Sequence, residues 1–320
     1  MRRFYEQSLS WVVDGAMCNM MHLLQWRRRS DTCTRRELEE YLKQCAAMSR
    51  EEFFEVQPVR QPVFGNGWIE WDSPRPSGHP ENDRVHVRYY PAKKKDAPTV
   101  LILHALMSAS DIGYRRLAAW FNAQGWGVVF PHLPYHYSRT PRKTLNGELA
   151  ITANLVRNAE GIRQAVVELR QLMCLLRGLG THKFGLLGTS YGGWNGALLS
   201  FLEPGFQFLA LVQPIVNTEK AVWESPGSAV MRRELRARGH LPGNTRPIDH
   251  LGSPLHGMPL CDPGSIIVTG GVYDRISPIV DLEELVSRWN GVELLRSRQG
   301  HFGYRALGDT MKRVEKMLDR

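Results

Sequence analysis

The sequence has no stretch approaching 18 consecutive apolar residues, so nothing in it reads as a membrane-spanning helix. Its cysteines are few. Cys18, Cys33, Cys45, Cys174 and Cys261 are odd in number, lie far apart and form no C-x-x-C pair. That argues against a disulfide scaffold and for free thiols in a reducing compartment, so the expected location is cytoplasmic. The three cysteines in the first fifty residues leave room for a single bridge. A secretory leader is not expected either. Arg2 and Arg3 precede the apolar Trp11–Val13, but Asp14 and Asn19 interrupt that run and no small-x-small cleavage site is clear. Cofactor motifs are missing as well. The Gly-rich loop at 188–193 lacks G-x-G-x-x-G spacing, has no acidic residue about 20 residues on, and is not followed by Gly-Lys-Ser/Thr. No cofactor is expected. His132 and His136 are spaced like metal ligands, but Pro134 breaks the helix that would align them and no carboxylate or cysteine set accompanies them. No metal is expected. The net charge of +9 is scattered, and its densest clusters, Arg27–Arg29 and Lys93–Lys95, are short. A solvated basic surface is therefore expected rather than a nucleic-acid partner. There is no internal repeat.

What is present is the composition of a globular enzyme. The chain has 320 residues, 42% hydrophobic and 23% charged, enough for one large domain or two small ones. Residues 1–52 read as a helical extension. Trp11, Val12, Met17, Met20, Met21, Leu23 and Leu24 form an apolar band that ends at Gln25–Arg29, and Thr34-Arg35-Arg36-Glu37 is a capping-box pattern opening a second helix. The band reads as a packed N-terminal arm, with peripheral membrane contact as the alternative. Residues 53–320 read as the main domain. Val56–Phe64, Trp68–Trp71 and Val85–Tyr90 alternate like antiparallel strands. From Thr99 the pattern changes to buried apolar strands alternating with helices, at 99–104, 127–130, 184–187, 208–216, 266–269 and 292–295. That argues for an α/β fold, a mostly parallel sheet with helices on both faces. Residues 217–262 are irregular and fit a small cap insertion.

The chemistry centres on Lys183–Gly196, KFGLLGTSYGGWNG. An apolar strand runs into Gly188-Thr189-Ser190-Tyr191-Gly192-Gly193, and helical spacing follows through Trp194, Ala197, Leu198 and Phe201. A strand, a Gly-flanked serine and a helix make the context of a G-x-S-x-G nucleophile elbow. Gly188 and Gly192 stand where a Cβ would collide with the neighbouring element. Asp274 lies in Gly270–Pro278 after one strand, and His301 lies in Gln299–Tyr304 after the next. The order Ser190, Asp274, His301, each on a strand-end loop, supplies a nucleophile, an orienting acid and a base.

On GTSYGG, GGVYDRISP and GHFGY the chain resembles an α/β-hydrolase-fold serine hydrolase, in the branch with dienelactone-hydrolase-like and prolyl-oligopeptidase-like enzymes. The resemblance covers about residues 60–320. It implies a Ser190–Asp274–His301 triad that cleaves a carboxylic ester, or less readily an amide, through an acyl-enzyme. A catalytically silent binding module and an acyltransferase with the same triad are the alternatives. The oxyanion hole should use the Tyr191 N–H and a second from the loop after strand 99–104, where the family often carries His-Gly and this chain reads His104-Ala105-Leu106-Met107. By position that donor is Leu106, with Met107 the close rival. His132, Tyr135, His136 and Arg139 are expected on the rim of the cleft, holding part of a small-molecule or lipid-like ester.

Overall fold

In a computed structural model, the structure describes residues 2–94 and 96–318, with side chains from Phe4 onward. Three helices come first, α1 (Arg2–Arg27), α2 (Arg35–Cys45) and α3 (Arg50–Phe53). The capping box at α2 forms in full: the Thr34 hydroxyl accepts from the Glu37 N–H, and the Glu37 carboxylate accepts from the Thr34 N–H. Ser49 and Glu52 repeat the device at α3. Leu38, Leu42 and Cys45 form the buried stripe of α2. By contrast, among the described side chains α1 buries only Asp14, Cys18, Leu24 and Gln25, and leaves Tyr5, Leu9, Val12 and Leu23 exposed. The expected N-terminal arm is therefore packed along one face only. All five cysteines are free, Cys18, Cys33 and Cys45 included.

Next come β1 (Val63–Gly65), β2 (Trp68–Asp72) and β3 (Arg84–Tyr90). The strand expected over 56–64 is confined to its end. Pro58 and Pro62 supply no ladder donor, and regular pairing begins only at Val63. Then follow β4 (Thr99–Leu103), α4 (Ile112–Ala123), β5 (Gly127–Pro131), α5 (Leu155–Gly178), β6 (Phe184–Thr189), α6 (Tyr191–Ser200) and β7 (Phe206–Val212). α5 starts seven residues before its apolar period at Ile162, because the Asn154 side chain caps it by accepting from the Arg157 N–H. β7 stops at Val212 rather than 216, because Gln213 turns to a φ of 48° and a proline follows.

The nine strands among the described residues form one sheet in the order β1-β2-β3-β5-β4-β6-β7, continued by β8 (Ile266–Gly271) and β9 (Glu293–Ser297). β1 to β3 are antiparallel and β3 meets β5 antiparallel; from β5 to β9 all neighbours run parallel. Every residue of β4 and β5 is buried, so both faces of the centre need cover. Val100 and Ile102 face a core layer completed by α4 and α11 (Arg305–Leu318). Leu101 and Leu103 face the opposite layer, built on α5, α6 and α10 (Ile279–Arg288).

Between β7 and β8 lie the short helices α7 (Thr218–Trp223), α8 (Ala229–Ala237) and α9 (Asp249–Gly252). α1 is pinned to this segment by buried amide contacts. Gln25 Nε2 donates to the Gly227 carbonyl at 2.7 Å, and the Met231 N–H donates to Gln25 Oε1 at 2.9 Å.

Candidate active site

The turn between β6 and α6 places Ser190 at φ 49°, ψ −111°. A side chain held there costs roughly 1–3 kcal/mol, so the surroundings must over-determine it. Both flanking glycines are steric necessities. A Cβ on Gly188 would lie 2.6 Å from the Gly192 carbonyl oxygen, and one on Gly192 would lie 2.3 Å from that of Leu103. The Ser190 N–H is tied to the Val212 carbonyl at 2.9 Å.

Ser190 Oγ lies 2.8 Å from His301 Nε2, and His301 Nδ1 lies 2.7 Å from Asp274 Oδ2. Because Nδ1 faces a carboxylate it carries the ring proton, which leaves Nε2 to accept from the serine. Asp274 is fully engaged. Oδ1 accepts from the N–H groups of Ile276 and Ser277, and Oδ2 accepts from Gln213 Nε2 as well as from His301. The two other carboxylates nearby in sequence are spent elsewhere: Asp281 pairs with Lys220 Nζ at 2.6 Å, and Asp262 accepts from the Gly264 N–H. Burial pushes the His301 pKa down, but the charge and hydrogen bond of Asp274, with the charge of Asp14 added, leave it above the ordinary histidine value.

Sequence reasoning missed several residues that hold this arrangement. Gln213 also donates to the Gly300 carbonyl at 2.9 Å and accepts from Gln299 Nε2 at 2.8 Å. Gln299 in turn donates to the Gly303 carbonyl and accepts from the Ala306 N–H. Asp14, on α1, accepts from the His301 N–H at 3.0 Å and the Phe302 N–H at 3.2 Å. The one sequence signal for Asp14 was an acidic residue inside an apolar helical band.

The loop after β4 faces the elbow and is fixed residue by residue. The Ala105 N–H donates to Tyr114 Oη at 3.0 Å, and that hydroxyl also meets Thr189 Oγ1 at 3.2 Å. The Met107 N–H donates to His136 Nε2 at 3.2 Å. Between them, the Leu106 N–H has no acceptor among the described residues. Tyr191 opens α6, so no helical carbonyl lies a turn earlier to receive its N–H.

His136 has a counterpart. His104 Nε2 accepts from the Leu133 N–H at 3.0 Å, so the β4 and β5 loops each lend a histidine to the other's backbone. In both rings Nδ1 faces a carbonyl, that of Ala105 for His104 and that of Pro134 for His136, which fixes the proton there. Burial pushes the His104 pKa well below the ordinary value and that of His136 down to about 4.

The four residues expected on the rim of the cleft are buried. His132, Tyr135, His136 and Arg139 are each less than 5% exposed. Arg139 is consumed by structure: its guanidinium donates to both Glu168 oxygens and to the carbonyls of Asn82 and His132. The Tyr135 N–H is held by Asn82 Oδ1 at 2.7 Å, with a φ of 67°. Burial, with nearby cations adding to it, lowers the His132 pKa to about 3. The loop turns inward because a buried Glu168 on α5 needs a cation, and Arg139 is the residue that reaches it.

No family model matches the chain, and no curated protein matches it. Solved structures do. An acetyl xylan esterase from Paenibacillus sp. R4 superposes with a TM-score of 0.60 at 11% identity, over 91% of this chain and 98% of that one. Acetyl xylan esterase 1 from Thermoanaerobacterium sp. JW/SL YS485 gives 0.59 at 16% identity, over 90% and 94%. An esterase from Thermogutta terrifontis gives 0.52 at 17% identity, over 82% and 96%. Identities this low establish architecture alone, and the architecture is the α/β-hydrolase fold.

Proposed function

We propose that this protein is a serine hydrolase that cleaves a carboxylic ester, and an amide less readily, through an acyl-enzyme. The observation that carries the reading is the unbroken relay from Ser190 Oγ to His301 Nε2 at 2.8 Å and from His301 Nδ1 to Asp274 Oδ2 at 2.7 Å, mounted on a strained elbow. Ser190 Oγ attacks the ester carbonyl carbon while its proton passes to His301 Nε2. Asp274 keeps the ring in its productive tautomer and stabilises the imidazolium. The oxyanion is received by the N–H groups of Tyr191 and Leu106. Leu106 is preferred to Met107 because the Met107 N–H is already engaged by His136. Collapse of the tetrahedral intermediate expels the alcohol, which takes its proton from His301. Water then attacks the acyl-enzyme with His301 again as base, releasing the acid and restoring Ser190.

The α7–α9 segment, with α1 beside it, is read as the cap that shapes access to the elbow. Two of the structural neighbours are named for removing acetyl groups, so short-chain acyl esters head the list of substrate classes to screen. Free thiols throughout accord with a reducing compartment. The test is covalent labelling with a fluorophosphonate probe, followed by turnover of a nitrophenyl ester series. Stoichiometric labelling of the native protein, absent in Ser190→Ala, is expected; equal labelling of both would remove Ser190 as the nucleophile.

A further inference from the structure

α1 contributes one carboxylate to the far side of the site. Asp14 is 3% exposed, and each of its oxygens accepts one main-chain N–H from the loop that carries His301. The approach depends on Gly300, where a Cβ would lie 2.4 Å from Asp14 Oδ2. The same loop has its carbonyls at Gly300 and Gly303 held from the interior by Gln213 and Gln299. Glutamine amides thus hold the acceptors of this short turn, and Asp14 holds its donors at His301 and Phe302.

A carboxylate offers one oxygen to each N–H, where an amide would turn its NH2 toward one of them, and burying its charge carries a desolvation cost that a nearby cation would offset. Other charged and titratable groups face it. Asp274 comes from the loop after β8 and His301 from the loop after β9, while Cys18, on the next turn of α1, feels both Asp14 and Arg275. Arg275 leans over the Trp11 ring at 5.7 Å, whereas His301 is tied to Asp14 through its own backbone. Burial raises the Asp14 pKa, and the N–H groups of His301 and Phe302 act against that rise.

We propose that Asp14 is a positioning residue of the hydrolytic site: it fixes the main chain at His301 so that the imidazole spans Ser190 and Asp274, and its charge joins that of Asp274 in holding the imidazolium formed when Ser190 attacks. The proposal rests on the reading of Ser190, Asp274 and His301 as a triad. In the full-length protein, the second-order rate of fluorophosphonate labelling at Ser190 is followed from about pH 5 to 9, with thermal unfolding recorded in parallel. Asp14→Ala is expected to slow labelling about 10²-fold, the scale of a small misplacement of a reacting group. Asp14→Asn keeps one oxygen acceptor and turns its amide NH2 toward the other N–H. It is expected to recover part of that rate and to move the acidic limb to lower pH, because the charge that favours protonated His301 is gone. A purely structural cap would leave the limb where it is. Labelling of Asp14→Ala at the native rate, or an unmoved limb in Asp14→Asn, overturns the proposal. If Asp14→Ala does not fold, the limb of Asp14→Asn decides alone. A native protein that fails to label at Ser190 sinks the triad reading itself, an outcome distinct from failure at Asp14.

Discussion

The His136 ring is buried and the His301 side chain is only 6% exposed; both carry their proton on Nδ1, and both present Nε2 to a hydrogen-bond donor. Their affinities for a second proton nevertheless move in opposite directions, up for His301 and down to about 4 for His136. Burial acts on both in the same sense, disfavouring the cation. The difference is what Nδ1 faces: a carboxylate at 2.7 Å in one case, a peptide carbonyl at 2.8 Å in the other. An ionised partner turns a buried imidazole into a base that can accept a proton and hold it. A carbonyl partner leaves a neutral, rigid acceptor, suited to gripping the Met107 N–H at any pH where the protein works.

The sharpest way to break the comparison is to remove what His301 acts on. Ser190→Ala is expected to cost about 10⁶-fold in kcat, measured as ester turnover, with the melting temperature not lowered. Asp274→Asn comes next: two main-chain N–H groups hold the amide oxygen at the Oδ1 position, so its NH2 faces His301 Nδ1 and drives the ring proton to Nε2. A loss near 10⁴-fold in kcat is expected, with the residual activity showing its acidic limb at lower pH than the native protein. In the native protein that limb should lie above the unperturbed histidine value of about 6.5, since the raised pKa keeps His301 protonated, and inactive as a base, to higher pH. A native limb well below that value would contradict the direction assigned to His301.

From the other side of the comparison, His136→Ala frees the Met107 N–H and loosens the loop that presents Leu106. The expected loss is about 10²-fold in kcat, the lower end of what removal of an oxyanion donor costs. His136→Gln, which restores an acceptor, should recover part of it. The smallest expected effect on chemistry is that of Arg139→Met. It leaves Glu168 buried without its cation, so unfolding free energy should fall by about 3–5 kcal/mol while kcat per folded molecule is little changed. A large fall in kcat with unchanged stability would return Arg139 to the substrate-binding role that its place in the sequence indicated.

The parallel sheet and the elbow were legible in the sequence because their chemistry is local. A serine at φ 49° needs glycine on both sides, and a strand buried on both faces must read as an unbroken apolar run. The contacts that secure the site are not local. Asp14 meets His301 across 287 residues, and Gln213 meets Asp274 across 61, so no spacing rule announces either. The loop at 132–139 was misplaced for a related reason. Its polar and aromatic composition is that of a rim, and only the buried Glu168, 29 residues beyond Arg139, turns it inward.

The 287-residue span from Asp14 to His301 also has a meaning in time. At about 5–20 residues per second, a ribosome places roughly 15–60 s between the synthesis of the two residues. Throughout that interval α1 has its carboxylate but not the loop it grips, and the elbow, once folded, has a serine without a base. On the proposed triad, assembly order alone would keep a nascent chain inert until the loop after β9 settles onto α1.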